Sequence, residues 1–145
     1  MGGRADMTFS GATIGCITKL VGAWRSDVDV ARAAAWALGT TGFMSRGLFQ
    51  CFMIADETIL LTLLDALGSG DDLLIGGAAD ALFPLAQTIG EGFVERHRII
   101  AESGAVPLLV CAGGATGSVQ ESALGVLSNM AEGARNRDVL MHAKA

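Results

Sequence analysis

Charged residues are scarce in this chain, and their scarcity excludes several functions. Only 17% of its 145 residues are charged, whereas 51% are hydrophobic, and the net charge is −5. An acidic chain lacks the basic face that binding to nucleic-acid phosphates requires, so no nucleic-acid partner is expected. The same balance gives no attraction to an anionic membrane surface. With so few charges, much of the surface must be neutral or covered by a partner.

Cysteines and targeting signals are equally sparse. Cys16, Cys51 and Cys111 are far apart in apolar contexts, which predicts buried thiols in a reducing, intracellular compartment. The cytoplasm is the simplest location, and association with an organelle or a large complex stays open. No long apolar core follows a basic start, so no signal peptide is expected. The longest uncharged run, 103–120, contains Pro107 and predicts a buried helix and a turn rather than a membrane span.

The residues that usually carry chemistry are few. The histidines are His97 and His142, and neither has further ligands at the spacing of a metal site. His97 stands between two arginines, which predicts a solvated side chain. The glycine-rich stretches 68–72 and 113–117 lack the preceding strand and the Lys of a phosphate-binding loop, so turns are expected there. No nucleophile and base are spaced as a catalytic pair. The sequence therefore predicts no catalytic, cofactor or metal site and no enzyme activity.

An internal repeat is the strongest positive feature of the chain. Segments 30–38, 74–82 and 119–127 align with a period of roughly 45 residues. The aligned positions are Val30, Leu74 and Val119, then Ala34, Ala78 and Ala123, then Leu38, Leu82 and Leu127. Apolar, small and apolar residues at i, i+4 and i+8 mark one face of a helix. The small central residue predicts that a neighbouring helix approaches closely.

Two further sets of helix-sized segments surround the aligned ones. The preceding set is 11–24, 58–70 and 104–114, and the following set is 46–57, 91–104 and 134–145. Pro107 falls in the first turn of its segment, where a missing N–H costs nothing. Each repeat unit is therefore predicted to contain three helices.

Capping residues are expected at the starts of the aligned helices. Ser118 and Glu121 fit a capping box, in which each side chain satisfies a backbone amide of the first turn. Asp27 or Asp29, and the pair 71–72, can cap the two earlier helices, where their charge is favourable.

The three-helix unit resembles the armadillo repeat. The resemblance is clearest in "ERHRIIAESGAVPLLV" (95–110) and "VQESALGVLSNMA" (119–131), and it extends over nearly the whole chain from about Ser10. It is good around Trp36 and weaker between 58 and 87. The two-helix HEAT repeat is the alternative, but the third short helix and the Gly-Ala-Val-Pro junction favour armadillo.

The resemblance implies an all-α, right-handed α–α superhelix, an armadillo-like solenoid of about three repeats. An N-terminal segment, 1–10, would precede a repeat domain over 11–145. The approximate units are 11–45, 46–90 and 91–133, with the start of a further unit at 134–145.

Such repeats stabilise one another only through their neighbours. Both ends of this chain look like the middle of an array, so we expect either a fragment of a longer protein or a protein partner that covers one or both ends. The high apolar fraction favours a stable subunit, because obligate interfaces are more hydrophobic than transient ones. The predicted function is a non-catalytic interaction scaffold or a structural subunit of a larger assembly. The alternatives are a peptide-docking adaptor of the importin-α or β-catenin type and an interaction module of a longer protein.

Peptide-binding armadillo proteins such as importin-α line a groove with a recurring Trp and an Asn four residues later. The Trp positions here are Trp36, Asp80 and Gly125, and the Asn positions are Thr40, Pro84 and Asn129. The regular series is therefore missing, and Pro84 is expected to kink its helix. Trp24 is expected to pack in the core, and Trp36 in the core or in a contact between helices. If the groove does bind a partner, the expected contacts are Trp36, Thr40, Asp80, Gln87 and Asn129.

Overall fold

A computed structural model describes residues 11–44, 57–88, 92–114 and 117–144. Within these ranges the chain forms seven α-helices and no strands, which confirms the predicted all-α class. They are α1 (Gly11–Gly22), α2 (Val28–Met44), α3 (Glu57–Leu67), α4 (Asp72–Ala86), α5 (Phe93–Glu102), α6 (Ala105–Gly113) and α7 (Gly117–Lys144). The predicted helix over 46–57 lies outside the described residues, except for its last position.

The helices pack in two series. Helices α1, α3 and α6 contact one another in that order, and so do α2, α4 and α7. Each helix of the first series also packs against the next helix of the second series, so that α1 pairs with α2, α3 with α4 and α6 with α7. The shorter α5 packs against α4, α6 and α7. Helix α4 therefore has the most neighbours among the described helices, since it contacts α2, α3, α5 and α7.

The aligned small residues lie inside the core, as the repeat predicts. Ala34, Ala78 and Ala123 are all buried. Most of the aligned apolar residues are buried with them, but Val30 is exposed and Leu127 is only partly buried against the core. The shared register therefore identifies the buried face of the second series, with exceptions in α2 and α7.

Helices α2 and α4 approach until their backbones nearly touch. A Cβ atom at Gly77 would lie 2.7 Å from the backbone carbonyl carbon of Ala35, and one at Gly39 would lie 2.9 Å from Cβ of Asp80. Interiors are close-packed, so a side chain at Gly77 would force the two helices apart. The absence of a side chain at this position thus sets the spacing of α2 and α4.

Aspartates cap the first two helices of the second series, as predicted. Asp27 accepts a hydrogen bond from the backbone N–H of Val30 at 3.2 Å, and Asp71 accepts one from Leu74 at 3.0 Å. The capping box predicted at Ser118 is wrong. Helix α7 begins at Gly117, so Ser118 already lies within the first helical turn rather than at the cap position.

Helix α7 is longer than the repeat pattern predicts. It runs from Gly117 to Lys144 without a break, so the separate helix predicted over 134–145 is a continuation of the helix before it. Pro107 lies in the first turn of α6, as predicted.

A polar cluster joins the first helix pair to the second. The indole Nε1 of Trp24 donates to Oδ2 of Asp65 at 2.9 Å, and Arg25 donates to both oxygens of Asp65 at 2.9 and 3.0 Å. The Arg25 guanidinium also lies 4.1 Å from the centre of the Trp24 ring. These hydrogen bonds, chiefly those from Arg25, hold the pKa of the Asp65 carboxyl below its usual value. Trp24 is partly buried against the core, so the expectation for this residue is met in part.

Candidate functional site

A cleft crosses the three helices of the second series near their N-terminal halves. Its volume is about 330 Å³. We call it the Trp36 cleft and define it by Arg32, Ala33 and Trp36 of α2, Asp72, Leu73, Gly76, Gly77 and Asp80 of α4, and Ser118 and Ser122 of α7. Because three separate helices supply its walls, the cleft exists only when α2, α4 and α7 lie side by side.

Trp36 is the most exposed large apolar side chain of this cleft, with 71% of its surface accessible. The prediction that Trp36 packs in the core is therefore wrong. The core face of α2 is filled by Ala31, Ala34 and Leu38. Trp36 lies on the opposite side of the helix, and none of the seven described helices covers it. A second large apolar side chain, Leu73 on α4, is 65% exposed on the same cleft.

The floor of the cleft is made of residues without long side chains. Ala33, Gly76 and Gly77 line it. A Cβ atom at Gly76 would meet only Cγ2 of Val119, at 3.9 Å, so this part of the floor is open. Gly77 is different, because the backbone of α2 fills the space beside it. The cleft is thus a hollow between exposed apolar side chains with a small-residue floor.

The α2 wall carries one cation that is already paired. Arg32 donates from Nε to Asp71 at 3.0 Å and from Nη2 at 2.5 Å, and its Nη1 donates to Asp29 at 3.2 Å. These bonds from Arg32, supported by the cap bond from Leu74, keep the pKa of the Asp71 carboxyl below its usual value. The pairing fixes the guanidinium at the edge of the cleft.

The other polar groups of the cleft belong to α4 and α7. Ser122 donates from Oγ to Oδ1 of Asp80 at 2.6 Å, which links the second and third helix pairs. Asp72 is exposed in the first turn of α4. The cation of the α2 wall is therefore already paired with two carboxylates, and α4 adds two more, so the cleft is acidic on balance.

Of the five predicted groove residues, the structure brings two into the cleft, Trp36 and Asp80. Thr40 is one turn further along α2 and donates from Oγ1 to the backbone oxygen of Trp36 at 3.0 Å. Gln87 follows the last residue of α4, and its backbone oxygen accepts a hydrogen bond from Arg96 at 2.9 Å. The Thr40 hydroxyl is therefore used within its own helix, whereas the bond to Gln87 involves only the backbone oxygen of that residue.

Asn129, the remaining predicted residue, is not among the described residues that line the cleft. It lies on α7, seven residues after Ser122. Its amide Nδ2 is buried, and no hydrogen-bond partner for it occurs in the part of the chain that the structure describes. A buried donor without an acceptor is rare in native structures, so Asn129 is an unusual group near this face.

Sequence reasoning missed Arg32, Leu73 and Ser122 as cleft residues. Arg32 and Trp36 are four residues apart on one helix, and residues at this spacing share a face. The four-residue spacing therefore indicates that Arg32 lies on the same face of the helix as Trp36. Leu73 carried no such signal, because it sits in an apolar run whose neighbour Leu74 is fully buried.

The prediction that His97 is solvated is also wrong. His97 is 1% exposed, and its Nε2 donates to the backbone oxygen of Ala86 at 2.5 Å. Its ring meets Phe93 edge to face, and Gly133 of α7 packs so closely on it that a Cβ there would overlap the ring. The neighbouring Arg96 is 2% exposed and donates to the backbone oxygen of Leu85 at 3.0 Å. Both side chains thus hold the C-terminal carbonyls of α4.

The cysteine prediction fails at two positions. Cys16 and Cys111 are exposed, free thiols, and Cys51 lies outside the described residues. Each exposed thiol stands on the outer face of a short helix whose inner face is filled by other side chains, such as Ile14 in α1 and Leu109 in α6.

Within the described ranges, no three His, Cys, Asp or Glu side chains are grouped closely enough to bind a metal ion. No helix in the same ranges has the length and apolar character needed to cross a membrane.

No protein-family model, curated protein or solved structure matches this chain.

Proposed function

We propose that the chain is a non-catalytic protein–protein interaction module, a scaffold or structural subunit built on a short armadillo-like solenoid. The proposal is supported by two features. The repeat of roughly 45 residues carries the armadillo-like motifs. The contacts between α2, α4 and α7 and between α1, α3 and α6 follow the order in which successive repeats of such a solenoid stack.

The observation that carries the proposed docking surface is the exposure of Trp36. Burial of a Trp side chain is strongly favourable, and Trp is enriched among residues that dominate binding energies. Here 71% of its surface is left accessible, beside the equally exposed Leu73 and a hollow of about 330 Å³. A partner that covers the Trp36 cleft would bury both side chains together. We therefore assign the face of α2, α4 and α7 as the docking surface.

A peptide-docking adaptor is the second candidate, and one observation favours it. Exposed Trp36 lies with the carboxylates of Asp72 and Asp80 in one cleft, a combination that can hold a basic side chain by cation–π and ionic contacts. Asn129 stands at the Asn position of peptide-binding armadillo proteins, but its amide Nδ2 is buried, so a peptide would reach it only after a local rearrangement. This candidate predicts that Asn129→Ala weakens binding of a defined linear peptide, whereas a folded partner would be much less affected.

Affinity capture from the cells that make the protein tests the main proposal. Wild type, Trp36→Ala and Leu61→Ala would be compared by quantitative mass spectrometry of the captured proteins. Leu61 is the matched control, because it is 60% exposed but lies on α3, outside the cleft. We expect Trp36→Ala alone to lose a partner that wild type and Leu61→Ala retain. Equal capture by all three proteins would contradict the assignment of this face.

A further inference from the structure

The Trp36 cleft is acidic, because its carboxylates outnumber its available cations. The guanidinium of Arg32 is already paired with two carboxylates that do not line the cleft. Asp72 and Asp80 do line it, and neither forms an ion pair in the part of the chain that the structure describes. A partner that brings cations to this cleft would meet opposite charge, whereas an acidic partner would be repelled.

The cleft residues of α4 form one stripe along that helix. Asp72 and Asp80 stand at its two ends, and exposed Leu73 and the open floor at Gly76 lie between them. At a rise of about 1.5 Å per residue, the two carboxylate-bearing positions are about 12 Å apart along the helix axis. One cation cannot reach both carboxylates, so a complementary partner needs two cations at this spacing with an apolar group between them.

The groups that line the cleft favour a helix over an extended segment. An extended peptide brings unpaired backbone N–H and C=O groups, and its binding depends on hydrogen-bond partners for them. The hydroxyl and amide side chains that the described residues supply to the cleft are those of Ser118 and Ser122, and Ser122 already donates to Asp80. A helix satisfies its backbone groups internally, so it needs only the apolar and charged contacts that the cleft offers.

We propose that the occupant of the Trp36 cleft is a basic amphipathic helix of a partner protein, with two Arg or Lys residues seven positions apart and an apolar residue between them on the same face. The inference rests on the proposed function, since it names the partner of the same docking surface. Residues at i, i+4 and i+7 of a helix share a face, and the outer two are about 10.5 Å apart along the axis. Long basic side chains can cover the small remaining difference from the spacing of Asp72 and Asp80.

Each part of such a helix has a matching group in the cleft. The two cations would pair with the carboxylates of Asp72 and Asp80, and the apolar residue would lie over Gly76 against Leu73. One of the cations can also stack on the exposed indole of Trp36, which lines the same cleft.

Isothermal titration calorimetry of the purified chain with three synthetic peptides tests the proposal. The first is an alanine-based helical peptide with two arginines seven residues apart and a leucine midway on the same face. The second has the same composition, but one arginine is moved by two residues to the opposite face. The third keeps the pattern of the first and carries a central proline that prevents the helix. We expect the first peptide to bind and the other two to bind more weakly by about fivefold or more.

Variants of the chain locate the binding site of the first peptide. Asp72→Asn and Asp80→Asn should each weaken its binding by about fivefold, because each removes one ionic contact. Trp36→Ala should weaken it by about thirtyfold, as for a central Trp of an interface. Asp72 and Trp36 are exposed, so these two variants leave the fold intact. Glu132→Gln is the matched control, an exposed carboxylate on α7 outside the cleft, and should leave the affinity unchanged.

Three results would overturn the inference. They are a first peptide that does not bind, a proline-containing or rearranged peptide that binds as tightly as the first, and binding that is insensitive to Trp36→Ala and to both aspartate variants. The proposed function fails separately. If the first peptide does not bind but Trp36→Ala still loses a captured protein, only the basic-helix inference is wrong. If Trp36→Ala changes neither peptide binding nor any captured protein, both proposals are wrong.

Discussion

The two ends of helix α4 are held by different kinds of interaction. At its N-terminus Asp71, in the adjoining turn, caps the first amides and pairs with the half-exposed Arg32. At its C-terminus two buried side chains from α5, Arg96 and His97, donate to the last carbonyls. Both devices satisfy backbone groups that a helix leaves without partners. The N-terminal contacts lie near the solvent and combine a local cap with an ion pair to α2, whereas the C-terminal contacts lie inside the core and come from α5, 11 residues further along the chain.

The two ends of α4 are therefore expected to contribute differently to stability and to respond differently to salt and pH. Hydrogen bonds at the N-terminus are partly replaced by water when they break, so each contributes little. Carbonyls at the buried C-terminus have no such substitute, and losing their donors leaves them unsatisfied. We therefore expect the C-terminal end to dominate the stability of α4 and the N-terminal end to dominate its dependence on salt and pH.

The largest effect is expected from Arg96→Met. This substitution keeps most of the apolar volume but removes donors to the backbone oxygens of Leu85 and Gln87. The loss of two charged hydrogen bonds should lower the free energy of unfolding by about 3 kcal/mol. Urea denaturation followed by circular dichroism measures it.

Arg98→Met is the matched control on the same helix. Arg98 is exposed and pairs only with Glu95 and Glu102 among the described residues, so its removal should cost much less than that of Arg96. Equal losses for the two variants would show that the buried contacts at the C-terminus of α4 are not special.

A smaller change in stability is expected from substitutions at Gly76 and Gly77, which lie between the two ends of α4. Gly77→Ala places a Cβ 2.7 Å from the backbone of Ala35 and should destabilise the chain by about 1–3 kcal/mol through overpacking. Gly76→Ala meets no such obstacle and should raise stability by up to about 1 kcal/mol, since Ala favours the helix. Thermal melts of both variants test the contrast. A Gly77→Ala protein as stable as Gly76→Ala would contradict the close approach of α2 and α4.

The N-terminal cap should give an effect of about 1–2 kcal/mol. Asp71→Ala removes the hydrogen bond to the Leu74 amide and the pair with Arg32, and caps are typically worth this much. The loss should shrink as salt is added, because salt screens the ion pair. Asp72→Ala, one residue along, should change stability by less than about 0.5 kcal/mol. Denaturation at low and high salt checks both statements, and a salt-independent loss at Asp71 would argue against the ion pair.

The smallest expected effect is the pH dependence of the stability contributed by the N-terminal end of α4. The hydrogen bonds from Arg32, with the cap bond from Leu74, lower the pKa of the Asp71 carboxyl. A group with a lowered pKa stabilises the folded state above its unfolded pKa of about 4. That stability is small for a pair near the solvent, and it is lost as the pH falls through the folded pKa. The free energy of unfolding of the wild type should therefore fall between about pH 5 and pH 3. Asp71→Asn should make this fall smaller, whereas Arg96→Met should leave it unchanged.

The same comparison shows what could be predicted from the sequence. The cap at Asp71 depends on residues next to it in the chain, and it was predicted correctly, as were the described helices apart from the length of α7 and the buried line through Ala78. His97 stands between two arginines and was predicted to be solvated. It is buried because its ring donates a hydrogen bond to a backbone oxygen at the C-terminus of α4, 11 residues earlier in the chain. No pattern in the sequence around His97 indicates that contact.

The prediction that Trp36 packs in the core is wrong for a related reason. An alanine-rich helix can fill its core face with Ala31, Ala34 and Leu38, and close backbone contact at Gly77 leaves no room for an indole between α2 and α4. The close approach of α4 to α2 therefore decides that Trp36 lies in the cleft rather than in the core. Thr40, Asp80, Gln87 and Asn129 stay predictions as contact residues, and only Asp80 shares the cleft with Trp36.

Sedimentation of the native protein in gentle extracts of its own cells tests whether the Trp36 cleft is a docking surface. We expect wild type to migrate above its monomer mass of 14.9 kDa, and we expect Trp36→Ala to lower the observed mass while Leu61→Ala leaves it unchanged. A wild-type protein that migrates alone as a monomer, or a large particle that is indifferent to Trp36→Ala, would contradict this assignment.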